Sequence, residues 1–109
     1  MKKNKFKYVF ENGVYFYSKY MIAYALKRDE NMNDLGIIVS KKVGNSVVRH
    51  RYTRLIREVF RLNIDIKGYD FIIIAKKSIL DKKFLDIKED FERLIKVIKK
   101  YETNTHKIN

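Results

Sequence analysis

The chain contains no cysteine, which excludes disulfide staples, zinc ribbons and cysteine nucleophiles together. It is compatible with a reducing compartment, and a cytoplasmic location is expected. Proline is also absent, and glycine occurs only four times, at Gly13, Gly36, Gly44 and Gly68. Without a linker, an internal repeat or a low-complexity stretch, the 109 residues read as a single domain, 1–109, ending in a polar tail from about 102 to 109. Long apolar runs are missing. The strongest is Phe71-Ile-Ile-Ile-Ala75, and no apolar core of signal-peptide length follows Met1-Lys-Lys, so neither export nor a membrane span is expected.

Acids are scarce, 13 against 25 lysines and arginines, for a net charge of +12. A hydrophobic fraction of 46% is ordinary for a folded chain, which argues against a disordered basic tail. Such a balance on a folded domain suits a polyanionic partner, nucleic acid before an anionic membrane.

The periodicities predict the order α-β-β-β-α-β-α, an α+β sandwich with a four-stranded sheet. A first helix is expected from about Asn4 to Asn12, with Phe6, Val9 and Phe10 on one face and Gly13 ending it. Val14 to Arg28 reads as one bent strand or two meeting near Tyr17-Ser18-Lys19. A polar loop from Asp29 to Asp34 precedes a strand over Leu35–Lys41, and Asn63 to Gly68 leads into a buried strand over Tyr69–Lys76. The last helix is expected over about Lys83–Tyr101, with Phe84, Ile87, Phe91, Leu94, Ile98 and Tyr101 as its core stripe.

The remaining segment carries the signal. Of seven arginines, five lie between Arg49 and Arg61, although the rest of the chain prefers lysine. Guanidinium is planar, weakly hydrated and fits phosphate bidentately, so this preference is chemical rather than a matter of charge alone. From Lys41 to Arg61, seven basic residues meet one acid, Glu58, which puts half the net charge in 21 residues. On a helix over Ser46–Leu62, the residues Val48, Tyr52, Leu55, Ile56, Val59, Phe60 and Leu62 form the docking face. His50, Arg54, Arg57 and Arg61 cluster within roughly 60° on the opposite side. Arg51 lies on the flank and Arg49 in the first turn. Asn45 or Ser46 can cap the helix, whose first N–H groups add a second anion site. Glu58 can pair with Arg54 or Arg61.

No catalytic constellation is visible. The two histidines are His50 and His106, no Ser/His/Asp set can be built, and no metal-ligand spacing occurs. Asp86, Glu89 and Asp90 could hold Mg²⁺, but they alternate with Lys82, Lys83, Lys88 and Lys96 and read better as a mixed solvated face. Catalytic and metal-binding residues are therefore both expected to be absent.

The segment Ser40-Lys41-Lys42-Val-Gly44-Asn45-Ser46, continuing through Arg49, Arg51, Arg54, Arg57 and Glu58, resembles the arginine-rich signature of the bacterial ribonuclease P protein subunit. Ser46 replaces an alanine of that pattern, His50 its central asparagine and Thr53 a lysine. Chain length, charge and element order extend the resemblance over nearly the whole chain. It implies a sandwich similar to a ribosomal-protein domain, with a left-handed β-α-β crossover.

The resemblance also implies a protein without cleavage chemistry that binds the catalytic ribonuclease P RNA and the single-stranded 5′ leader of precursor tRNA. Mg²⁺ is expected on the RNA, which cuts the phosphodiester to give the mature tRNA 5′ end. Lys41, Arg49, Arg51, Arg54, Arg57 and Arg61 are the expected contacts to the catalytic RNA. Phe6, Phe10 and Tyr24, with Lys42, Asn45 and His50, are the expected leader contacts, and Arg54 also borders that groove. Neither membrane nor DNA is an expected partner. The rival readings are a ribosomal or other structured-RNA binder with no part in tRNA maturation, a DNA-binding regulator using the arginine helix, and a stand-alone nuclease.

Overall fold

A computed structural model describes residues 1–63 and 65–108, the side chains of Asn63 and of residues 103–108 excepted. Helix α1 (Lys3–Asn12) leads to strands β1 (Val14–Tyr17), β2 (Met21–Lys27) and β3 (Asp34–Ile38). Helix α2 (Ser46–Asn63), strand β4 (Tyr69–Ala75) and helix α3 (Phe84–Ile108) complete the order, with one short 3₁₀ turn at Lys77–Ile79. The expected sequence of elements is the observed one. The segment expected as one bent or two separate strands is two, and the turn between them is closed by Ser18, whose N–H donates to the Met21 carbonyl and whose hydroxyl accepts the Met21 N–H.

The sheet runs β1-β2-β4-β3. Its first two pairings are antiparallel, and β3 runs parallel to β4, so α2 is the crossover that a parallel pair requires. Period-two alternation divides the sheet into two faces. Met21, Ala23 and Ala25 pair across to Ala75, Ile73 and Phe71, and these six side chains are buried against α2 and α3. Phe60 of α2 joins the layers, edge-on to Phe71 at 5.4 Å and to Phe91 of α3 at 5.8 Å.

The opposite face carries Ile22, Tyr24, Ile72, Ile74, Gly36 and Ile38, and α1 covers only part of it. Val9 and Ile72 are fully buried beneath the helix. Phe6 lies over Gly36 so closely that a Cβ there would stand 2.5 Å from the ring. Charges hold α1 down: the Lys5 ammonium donates to Asp34 at 2.8 Å and pairs with Asp70 at 3.1 Å. Asp70 is buried and also meets Arg28 at 3.2 Å. The Lys5 hydrogen bond is the chief reason the Asp34 carboxyl sits below its ordinary pKa and the ammonium above its own. Gly68 is the one glycine with positive φ, 82°, and its carbonyl accepts the Arg28 N–H at 2.6 Å.

Four expectations need correction, the first being Tyr101, which is 46% exposed rather than part of the core stripe of α3. Leu62 does not dock on the sheet but is 57% exposed, because it lies at the edge of the apolar arc, in the last turn of the helix. The last helix does not end near Tyr101, since the backbone of α3 continues to Ile108. Asn109 and the His106 side chain lie outside the described residues, as does Ile64 in the expected Asn63–Gly68 connection. Asp90 belongs to no solvated face. It is fully buried and accepts hydrogen bonds from the Ser18 hydroxyl (2.6 Å) and the N–H groups of Lys19 (3.0 Å) and Tyr20 (2.9 Å). It is the anchor of the β1–β2 turn.

Candidate nucleic-acid interface

Asn45 caps α2: its Oδ1 accepts the Val48 N–H at 3.0 Å and its carbonyl accepts the Arg49 N–H at 2.9 Å. The cap occupies one lone pair of Oδ1 and leaves the amide nitrogen of Asn45 for a ligand. Lys41 and Lys42 are exposed in the turn before it, closed by the Val43 N–H on the Ser40 carbonyl. Tyr52, Ile56, Val59 and Phe60 are buried on the docking side, which leaves His50, Arg51, Arg54, Arg57 and Arg61 exposed.

These arginines are not equivalent. Arg61 is paired with Glu58 at 2.8 Å, and that bond raises its pKa further. Among the described residues no carboxylate pairs with Arg51, Arg54 or Arg57. Arg49 is half-buried, and its Nε is enclosed without a hydrogen-bond partner among the described residues. The outer side of α2 is thus a strip of free guanidinium charge. His50 joins it, lining a shallow hollow with Val47, Arg51, Arg54, Leu55 and Glu58.

The aromatic residues assemble on the other face of the sheet. Phe10 meets Tyr24 edge-on, with centroids 4.8 Å apart and planes at 83°. Phe10 is 37% exposed and Tyr24 partly exposed, so both border an open surface. Phe6 is half-buried and spends its ring on Gly36, which makes it chiefly a support for α1.

Sequence reasoning missed Tyr15 and Tyr17. They extend the row, Tyr15 lying 5.6 Å from Tyr24 and 5.4 Å from Tyr17, and Lys76 stands 5.5 Å from the Tyr17 ring centre. The available signal was the alternation Tyr15-x-Tyr17 on a strand, which puts both rings on one face. A second hollow, at the opposite end of the sheet, is lined by Val14, Phe16, Tyr69, Ile98 and Tyr101. It is apolar and lies apart from the arginine strip. Burial first, then the Glu102 carboxylate, pushes the Tyr69 hydroxyl well above its ordinary pKa, so it is a neutral group.

A family model described as Ribonuclease P matches residues 1–99. The chain belongs to the ribonuclease P protein family. It is 43% identical to the ribonuclease P protein component of Clostridioides difficile over 98 residues, 87% of this chain and 86% of that one. Identity to the component of Lachnoclostridium phytofermentans is 45% over 97 residues, covering 87% and 84%. Among solved structures, the Staphylococcus aureus RNase P protein superposes with a TM-score of 0.82 at 31% identity, covering 91% of this chain and 93% of that one. The Thermotoga maritima protein gives 0.79 at 26%, covering 86% and 92%.

As a ribonuclease P protein, the chain partners an RNA subunit and serves tRNA 5′ processing, and the hydrolase activity belongs to the ribonucleoprotein. A structured-RNA binder without a role in tRNA maturation is not favoured. No described helix is long and apolar enough to cross a membrane. No group of three or more His, Cys, Asp or Glu among the described residues could hold a metal ion. Of Asp86, Glu89 and Asp90, Asp86 accepts the Lys83 N–H and Asp90 holds the β1–β2 turn, so these two have structural duties.

Proposed function

We propose that the two faces divide the labour of ribonuclease P. The α2 strip docks on the backbone of the catalytic RNA through Lys41, Arg51, Arg54 and Arg57, with smaller contributions from half-buried Arg49 and from Arg61, which must release Glu58. The open face holds the single-stranded 5′ leader of precursor tRNA, with bases stacked on Phe10 and Tyr24 and with Phe6 shaping the wall. Lys42, the free amide of Asn45 and His50 supply polar contacts where the leader passes toward α2. Mg²⁺ belongs to the RNA's phosphates, and no step of the chemistry is assigned to side chains of this chain. The compartment is the cytoplasm.

The exposed Phe10–Tyr24 pair carries the leader assignment. An edge-on aromatic pair left partly open on a basic protein is how single strands are bound without sequence choice, because every base offers a π-face. The test is cleavage of precursor tRNA by a bacterial ribonuclease P RNA at low Mg²⁺, with and without the protein. Stimulation at the mature 5′ end is expected. Tyr24→Ala is expected to weaken holoenzyme binding of leader-bearing substrate by about 1–3 kcal/mol and to leave mature tRNA unaffected. Equal losses for both ligands would remove Tyr24 from the leader.

A further inference from the structure

We propose that Tyr15 and Tyr17 form a second stacking subsite, taking bases of single-stranded RNA beyond those held by Phe10 and Tyr24, with Lys76 beside its outer end. The proposal rests on the leader reading above and lengthens it. Four rings, Phe10, Tyr24, Tyr15 and Tyr17, follow one another at 4.8, 5.6 and 5.4 Å. They form one row from α1 to the edge of the sheet.

Exposure separates the β1 tyrosines from core residues. Tyr15 is 53% and Tyr17 63% exposed, whereas Phe16 between them turns to the opposite face and packs edge-on against Tyr101 at 5.6 Å. The Tyr15–Tyr17 planes stand at 76° and the Tyr15–Tyr24 planes at 40°. No two of these rings are stacked face to face, so ring faces stay open to bases, except the Tyr17 face that Lys76 overlies.

The surroundings favour a nucleic-acid strand over an apolar peptide. Lys76 lies over the Tyr17 ring and donates to the Ser18 carbonyl at 2.7 Å, which fixes a cation next to the last ring. Lys19 and Lys77 are exposed nearby in sequence. The nearest acid to this turn, Asp90, is buried and engaged with Ser18, Lys19 and Tyr20. The Tyr17 hydroxyl is held above its ordinary pKa, chiefly by Tyr15, so it stays a neutral donor beside a phosphate. Stacking on rings next to fixed cations is the physics of a single-strand platform.

The register gives the row a direction. Tyr17 stands opposite Ile22, Ile22 opposite Ile74, and Ile74 beside Ile38. This half-exposed isoleucine floor ends at β3, just before Lys41 and Lys42. A leader reaching Tyr17 therefore lies along the end of the sheet from which the arginine segment departs.

The experiment measures holoenzyme affinity for precursor tRNAs whose leaders are shortened one nucleotide at a time. It compares the wild type, Tyr24→Ala, the double variant Tyr15→Ala/Tyr17→Ala and the ring-preserving Tyr15→Phe/Tyr17→Phe. The double alanine variant should match the wild type on short leaders and lose roughly 5-fold or more per stacked base on long ones. The phenylalanine variant should keep the long-leader affinity. If Tyr24→Ala is leader-dependent while the double alanine variant behaves as wild type at every length, the second subsite is overturned and the leader reading stands. If neither variant depends on the leader, both fall. Wild-type affinity that stops rising at the length where the Tyr24 effect saturates would overturn the subsite without any variant, whatever the stability of the alanine protein.

Discussion

At the scale of single residues, charge is worth what its surroundings leave of it. Arg57 and Arg61 are both exposed guanidiniums on α2, yet Arg61 is held by Glu58 at 2.8 Å and Arg57 has no such partner among the described residues. RNA contacts are read through counterion release, with a slope loss of about 0.7–0.9 per phosphate neutralised. Arg54→Ala and Arg57→Ala should each flatten the salt dependence of RNA binding by about one such unit. Arg61→Ala should do so by less, since a carboxylate already competes for it. Salt titrations of the three variants check the order, and unchanged slopes for Arg54→Ala and Arg57→Ala would remove the strip from the RNA. The free strip was legible in the sequence, because the arginines share a face by helical period alone. Which arginine Glu58 would take, Arg54 or Arg61, was not, because both spacings reach.

At the scale of elements, the β1–β2 hairpin stands on one residue of a distant helix. Asp90 of α3 collects three donors from the turn at Ser18, Lys19 and Tyr20. Replacing a buried acceptor that satisfies several groups costs about 1–3 kcal/mol for each left unpaired. Asp90→Ala should therefore lower unfolding free energy by about 3 kcal/mol or more in urea denaturation. Asp90→Asn should cost less: the Ser18 hydroxyl and Tyr20 N–H share Oδ2, and an amide oxygen can take that place. Equal losses for the two variants would mean that the carboxylate's charge, not its geometry, holds the turn. This role was hidden in the sequence, where Asp90 sits among lysines and reads as solvated. The contact spans 72 residues to Ser18, and no local period encodes that.

At the scale of the whole molecule, the same excess of positive charge that suits an RNA partner must be managed where α1 meets the sheet. Lys5 and Arg28 are spent on Asp34 and Asp70, which fixes the helix wall of the aromatic groove. The Asp34 carboxyl is held below its ordinary range by Lys5. Its contribution is thus complete above the unfolded carboxyl value, about 3.9, and is lost as pH falls through the lowered folded value. Asp34→Asn should destabilise the protein at neutral pH by no more than about 1 kcal/mol, because the pair is partly exposed. The difference should begin to shrink below about pH 4 and vanish once the pH falls below the lowered folded value. Thermal unfolding of both proteins across that range checks it, and a pH-independent difference would sink the charge argument.

The sequence by itself determined the element order, the arginine strip and the signature that carries family membership. Each rests on spacing within one short segment, where backbone period alone decides which side chains share a face. Only the tertiary structure decided the aromatic row, the burial of Asp90 and the exposure of Leu62. Tyr15 reaches Tyr24 through strand register, and Tyr24 reaches Phe10 through the docking of α1. Those distances belong to pairings between segments that are remote along the chain, and a side chain's neighbours across a sheet exist only once the sheet has formed.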